Sequence, residues 1–445
     1  MGLWNRIFQR IDPADMPEAH YFGRFSDAYK SAIRYAHWDK AMRLFDLDNY
    51  RETLLEFLYY IQNDEADNVF FDEHDRNFNF QIIQGSKKLS GEIIDGRIIV
   101  KAPLVSGVSY STGLLRRLLE KNYNLKYCRY ALDDEHQLTV IFETFMKDAN
   151  PYKLYFGIKE LAIHADKMDD LILSEFEQLK PYEVGHTRAV SEKIKTIKTN
   201  LFFSKLNLLK NELESGYLKK ARDPNDLIYA ILSTFYELDF LLAPHGKSTE
   251  IIERAHQEYF GDGTRPVELK IASLVEALNL LLYLPADDLG KEWYEVIYTF
   301  GINSPVDLYQ AQSNIRTEIS KIDWYVDNNQ FDEAQAIIKF IIGYILFDYS
   351  VDHLLKGLLT IYFRILNESY FEQLGYESKF IDKKGYLHSK RIEAMIHQLL
   401  HRYDDQFHGI NIPIEQLNYQ SMYHFGQSLL HLILNSSFIP IEQGR

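Results

Sequence analysis

The sequence predicts an α+β fold, with an N-terminal antiparallel sheet and flanking helices followed by an all-α region. Three observations predict it. Between about Asn68 and Lys147, apolar and polar residues alternate at the period of a half-buried strand. Asp95-Gly96, set between Ile93-Ile94 and Ile98-Ile99-Val100, is a two-residue hairpin signal inside that stretch. Beyond about Pro181 the apolar residues recur at helical spacing, and strand-like runs stop. The chain accordingly divides into an N-terminal amphipathic segment (1–22), an α+β domain (23–180) and an α-helical domain (181–445).

Element by element, Leu3, Trp4, Ile7, Phe8 and Ile11 lie on one face of a short helix flanked by Arg6 and Arg10. Asp12-Pro13 ends it, because the residue before a proline is pushed out of the helical region. Residues 23–62 read as helical, with a hairpin turn at Asp46-Leu47-Asp48-Asn49. A similar phrase recurs at Asp327-Asn328-Asn329-Gln330, and both resemble the helix–turn–helix phrasing of tetratricopeptide repeats without a fixed period. Phe78, Phe80 and Ile82 alternate with Asn79 and Gln81 as a strand. Ser111 or Thr112 caps a helix from Leu114 to about Lys121. Tyr127–Ala131 and Gln137–Phe145 form a second hairpin, and Asn150-Pro151 opens a long helix whose buried stripe includes Leu154, Ile158, Leu161 and Ala165. Asp166, Asp169 and Asp170 read as its solvated face. Helical runs follow at about 189–218, 225–242, 267–284, 305–327, 331–348, 351–366, 391–403 and 416–434.

Composition narrows the function classes. The 445 residues carry 49 basic and 64 acidic side chains, a formal charge of −15, which disfavours nucleic acid as a partner. A single cysteine, Cys128, excludes an internal disulfide framework or a cysteine-based metal cluster and suggests a reducing compartment; within a predicted strand it reads as a packing residue. No apolar run approaches the roughly 18–20 residues of a membrane-spanning helix.

The run Leu114–Lys126, with its Asn122-Tyr123-Asn124-Leu125 phrase, continues through Tyr127–Asp134 and Leu138-Thr139-Val140 to Asn150-Pro151 and Leu161–Leu171. This order and phrasing resemble YbjN-type domains and the class I type III secretion chaperones (Tir-chaperone-like) over about a third of the chain. The resemblance implies a cytoplasmic, acidic, often dimeric protein that binds a partner polypeptide, partly by strand addition at a sheet edge. It implies no catalysis and no cofactor.

The residue patterns agree with a non-enzymatic reading. His397 and His401 stand one helical turn apart, but Gln398 replaces the glutamate that a zinc protease needs as base. The Ser106–Gly113 loop has no P-loop lysine, and Lys193, Lys195, Lys198, Lys205 and Lys210 read as solvated helix faces. No metal site is expected. The expected function is therefore cytoplasmic, chaperone-like protein binding, with a protein partner and a homodimer as the expected associations. A scaffold or assembly subunit acting through its helical domain is the alternative. Phe78, Phe80, Ile98, Val140 and Phe142 are the candidate partner-binding residues, and their pattern fits a core as well as a binding face.

Overall fold

The computed structural model describes residues 22–72, 78–106, 110–133, 135–175, 179–182, 187–216, 218–220, 223–376 and 379–440. The amphipathic helix read at 1–11 lies outside them, as does part of the Ser106–Gly113 loop. The chain groups into an α+β unit (29–189 and 294–302) and a helical unit (22–28, 190–293 and 303–440).

In the α+β unit, α1 (Ala32–Asp46) and α2 (Tyr50–Ile61) form a hairpin. Residues 23–31, expected to be helical, are not. The hairpin turn closes with Asp48 at φ 57° and the Asn49 N–H donating to Leu44 C=O at 3.0 Å, a left-handed helix stop. The strands are β1 (Val69–Phe71), β2 (Asn79–Gln84), β3 (Lys87–Ile94), β4 (Arg97–Ser106), β5 (Cys128–Leu132) and β6 (Leu138–Phe145). They pair antiparallel in the order β1-β2-β3-β4-β6-β5. Asp95 (φ 48°) and Gly96 (φ 73°) both adopt positive φ in the β3–β4 turn, as the two-residue hairpin requires. Between β4 and β5 runs α3 (Thr112–Asn122), capped by Ser111, whose hydroxyl accepts the Leu114 N–H at 3.1 Å.

The long helix α4 (Pro151–Glu175) covers the sheet with Leu154, Ile158, Leu161, Ala162 and Ala165, all fully buried. Gly157 permits this approach: a Cβ there would lie 2.4 Å from a ring carbon of Phe142. The other sheet face is polar, with Asn79, Gln81, Ser90 and Arg129 exposed. Two-residue strands β7 (Lys180–Pro181), β8 (Arg188–Ala189) and β9 (Tyr294–Glu295) complete the unit, β7 on β4 and β8 on β9. Residues 294–302 hold their place through Gln84, whose side-chain Oε1 accepts the Phe300 N–H at 2.9 Å.

The helical unit contains α5 (Glu192–Glu214), α6 (Pro224–Leu242), α7 (Gly246–Phe260), α8 (Val267–Leu282), α9 (Ala286–Lys291), α10 (Leu308–Asp327), α11 (Phe331–Asp348), α12 (His353–Leu366), α13 (Glu368–Gln373), α14 (Ser389–Tyr403) and α15 (Met422–Asn435). The centre is α6 packed on α11, and both are apolar on nearly all sides, the pattern of helices enclosed by others. Its α10–α11 turn repeats the α1–α2 geometry: Asn329 has φ 57°, and Gln330 N–H donates to Tyr325 C=O at 2.8 Å.

Several helix starts differ from expectation, α5 among them at Glu192 rather than 189. Helix α10 begins at Leu308 rather than 305, because Asp307 caps it by accepting the Gln310 N–H at 2.8 Å. Pro305 lies instead in β10 (Ser304–Pro305), paired with β11 (Tyr349–Ser350). Helix α15 begins at Met422 rather than 416, with Ser421 as its cap. The unit also has a strand pair that was not expected, β12 (Phe407–Asn411) with β13 (Ser437–Pro440), joined across its inner face by Phe407 and Phe438 with ring centroids 5.2 Å apart.

A candidate protein-interaction surface

The five candidate binding residues all lie in the core of the α+β unit. Phe78, Phe80, Ile98, Val140 and Phe142 are between 0 and 2% exposed. The sheet has one apolar face, and the unit's own helices cover it, so alternation that fits either role is used here for packing. None of the five sits at a surface.

The sheet edges differ from each other. At β5, the Asn122 side chain accepts the Tyr130 N–H at 2.7 Å and donates to the Tyr130 C=O at 3.2 Å. The Glu160 carboxylate on α4 accepts the N–H groups of Lys126 (2.9 Å), Tyr127 (2.7 Å) and Cys128 (3.0 Å). These contacts occupy outward peptide groups that an added strand would use. Asn122 is the first residue of the Asn-Tyr-Asn-Leu phrase, so that phrase acts locally, by closing this edge. Burial alone would raise the Glu160 carboxyl, but the three backbone donors and the Cys128 thiol hold it below its ordinary range. The Cys128 thiol is pushed well up, first by burial and then by the Glu160 charge, which makes it a poor nucleophile. At the opposite edge, β1, the Ile83 N–H donates to Asn68 C=O at 2.8 Å. The alternate peptide groups of Val69 and Phe71 therefore point away from β2.

Two polar patterns turn inward rather than outward. Asp169 is 3% exposed and pairs with the buried Lys87 ammonium at 2.8 Å, and Asp166 accepts the Ser86 N–H at 2.9 Å. Asp166 and Asp169, expected on a solvated face, thus form an internal anchor holding the β2–β3 turn to α4, while the Asp170 side chain lies outside the described residues. Burial, then the neighbouring Asp169 charge, pushes the Asp166 carboxyl up to about 7. In the basic run on α5, Lys198 is buried and donates to Leu242 C=O at 2.9 Å, while Lys205 pairs with Glu237 at 2.8 Å. Those two lysines do not belong to a solvated face. Glu237 is fully buried on α6 and also pairs with Lys339 at 2.6 Å. Burial opposes its charge, but the two ammonium groups prevail and hold it at about 2.

His397 and His401 are exposed on α14, and no group of three or more potential metal ligands occurs among the described residues. His164 faces the Tyr130 hydroxyl at 3.4 Å, and burial lowers its pKa. His256 lies within α7 and joins the Tyr236 hydroxyl (2.9 Å) to Asp348 (3.4 Å). Tyr236 is itself buried.

One aromatic cluster of the α+β unit is partly exposed, with Trp38, Tyr60 and Tyr155 packed at the edge of the core. Trp38 of α1 lies tilted against Tyr60 of α2 (4.8 Å between centroids) and meets Tyr152 of α4 edge-on at 5.0 Å. Tyr155 extends the cluster to Phe156 at 5.3 Å, and Tyr35 joins through Tyr60 at 6.4 Å. Tyr152 is 53% and Phe156 49% exposed. The Lys30 and Lys159 ammonium groups lie 5.3 and 5.2 Å from the Tyr60 and Tyr155 rings. Sequence reading missed this surface because its residues come from three separate helices; the only local signal is the Tyr152, Tyr155, Phe156 spacing. No described helix is long and apolar enough to cross a membrane. Compared with protein-family models and with curated proteins, the chain matches none.

Proposed function

We propose that this is a non-enzymatic protein-binding module that acts as a scaffold or assembly subunit through exposed helical surfaces. The observation that carries the reading is the Trp38–Tyr60–Tyr152–Tyr155–Phe156 surface on α1, α2 and α4. Aromatic side chains concentrate at protein interfaces because they bury large areas for few frozen torsions. The flanking lysines favour a partner carrying carboxylates at its rim. A cytoplasmic setting fits the single, buried cysteine.

Affinity purification of the native protein, quantified against a Y152E/F156E variant, tests this reading. A stoichiometric partner retained by the native chain and lost by the variant, with equal melting temperatures, supports it. Recovery of no stoichiometric partner, or equal recovery by the variant, refutes it. A second reading, chaperone-like holding of an extended segment, is favoured by the outward peptide groups of β1. It predicts that proline at Val69 abolishes capture while the aromatic variant does not.

A further inference from the structure

In the helical unit, a small hairpin leads into α14. Asp382 N–H donates to Tyr386 C=O at 2.9 Å, and His388 N–H to Phe380 C=O at 2.8 Å. Gly385, at φ 86°, closes the turn, and the Asp382 carboxylate accepts the Lys384 and Tyr386 N–H groups at 2.7 and 2.9 Å. Phe380 and Leu387 are buried and anchor the base. Lys383 and Lys384 therefore stand on a fixed, exposed tip, with Tyr386 59% exposed beside them. The same chemistry continues along α14, where Lys390, His397 and His401 recur on the exposed face at helical spacing.

Residues 379–402 carry six lysines or arginines and three histidines against two acids, in a chain of net charge −15. Neither acid neutralises the face. Asp382 is held by its backbone donors, and Glu393 is hydrogen-bonded to the Tyr419 hydroxyl. Among the described residues, Lys383, Lys384 and Lys390 pair with no acidic side chain. We propose that this basic face binds an acidic segment of a protein partner, about six residues long in extended form.

Three arguments select that occupant. The first is charge complementarity: unpaired ammonium groups on a pre-formed hairpin suit carboxylates without reordering cost. The second is length. Lys390 to His401 spans about 17 Å of helix, the reach of five or six extended residues. Beyond it Asp404 and Asp405 are exposed, so the favourable field ends there. A nucleic acid or an anionic membrane would continue past those carboxylates over an acidic protein, within a screening length of about 8 Å, whereas a short segment stops before them. The third is apolar content: Tyr386 is the one strongly exposed aromatic of the face, too little to seat it in a bilayer. This face stands apart from the aromatic cluster of α1, α2 and α4, and the proposal does not rest on that cluster.

The test is fluorescence anisotropy of the full chain with a fluorescein-labelled hexaglutamate peptide at low salt. Binding should saturate and weaken at least about tenfold in K383E/K384E/K390E. It should change by less than about twofold in K193E/K195E/K210E, which alters the net charge equally on α5. Absence of saturable binding overturns the proposal, as does equal weakening by both variants, which reports net charge alone. Tighter binding of labelled hexathymidylate, or of phosphatidylserine vesicles, that K383E/K384E/K390E also loses overturns it in favour of a nucleic acid or a membrane. Equal melting temperatures of the three proteins exclude unfolding as the cause.

Discussion

Phe142→Ala separates a core role from a binding role for the sheet residues, and Gly157→Ala makes the test quantitative. Phe142 is 1% exposed, and truncating a fully buried phenylalanine costs about 3–5 kcal/mol, the lost transfer energy plus the cavity. A methyl group at Gly157 would lie 2.4 Å from one Phe142 ring carbon and 2.7 Å from the next. That overpacking costs about 1–3 kcal/mol, offset by a helix-propensity gain of about 1 kcal/mol. In the F142A background the ring is gone, so G157A should become stabilising by about 1 kcal/mol. The coupling between the two sites is then about 1–3 kcal/mol. Native-state hydrogen exchange of the slowest β4 and β6 amides reads the α+β unit by itself. A loss below about 1 kcal/mol for F142A, or the same effect of G157A in both backgrounds, would refute the packing argument.

Three further outcomes follow from the polar groups. Asn122→Ala should cost about 1 kcal/mol and open the β5 edge, seen as concentration-dependent association by light scattering where the native chain shows less. Glu237 is held at about 2 against an ordinary 4.5, so its contribution is complete above 4.5 and is lost as pH falls through 2. Glu237→Gln should therefore lose about 3 kcal/mol at neutral pH, leaving two partly buried ammonium groups uncompensated, and melting curves should lose that acid-limb slope. Asp166 is shifted the other way, from 3.8 to about 7, so the native state binds the extra proton between those values and stability falls as pH rises through that window. In Asp166→Asn the fall should flatten; an unchanged melting-temperature profile between pH 4 and 8 would contradict the assignment.

Much of the local structure was legible in the sequence. Period-2 alternation specified the strand faces, Asp95-Gly96 specified a turn that needs two positive φ values, and Pro151 specified where α4 begins. The repeated Asp-x-Asp/Asn-Asn/Gln turns were legible for the same reason: the backbone geometry of a helix stop is encoded within a few residues. Tertiary structure decided everything that depends on which distant groups meet. It assigned Phe78, Phe80, Ile98, Val140 and Phe142 to a core, because alternation reports that one face is buried but not by what. It brought Asp169 to Lys87 and Glu237 to Lys205 and Lys339, turning charges that looked solvated into internal ties. It placed residues 294–302 in the α+β unit through Gln84, a contact 216 positions apart in sequence. And it brought Trp38, Tyr60 and Tyr152 from three helices into one partly exposed aromatic cluster, because such a cluster is a property of packed helices and none of its residues carries that information alone.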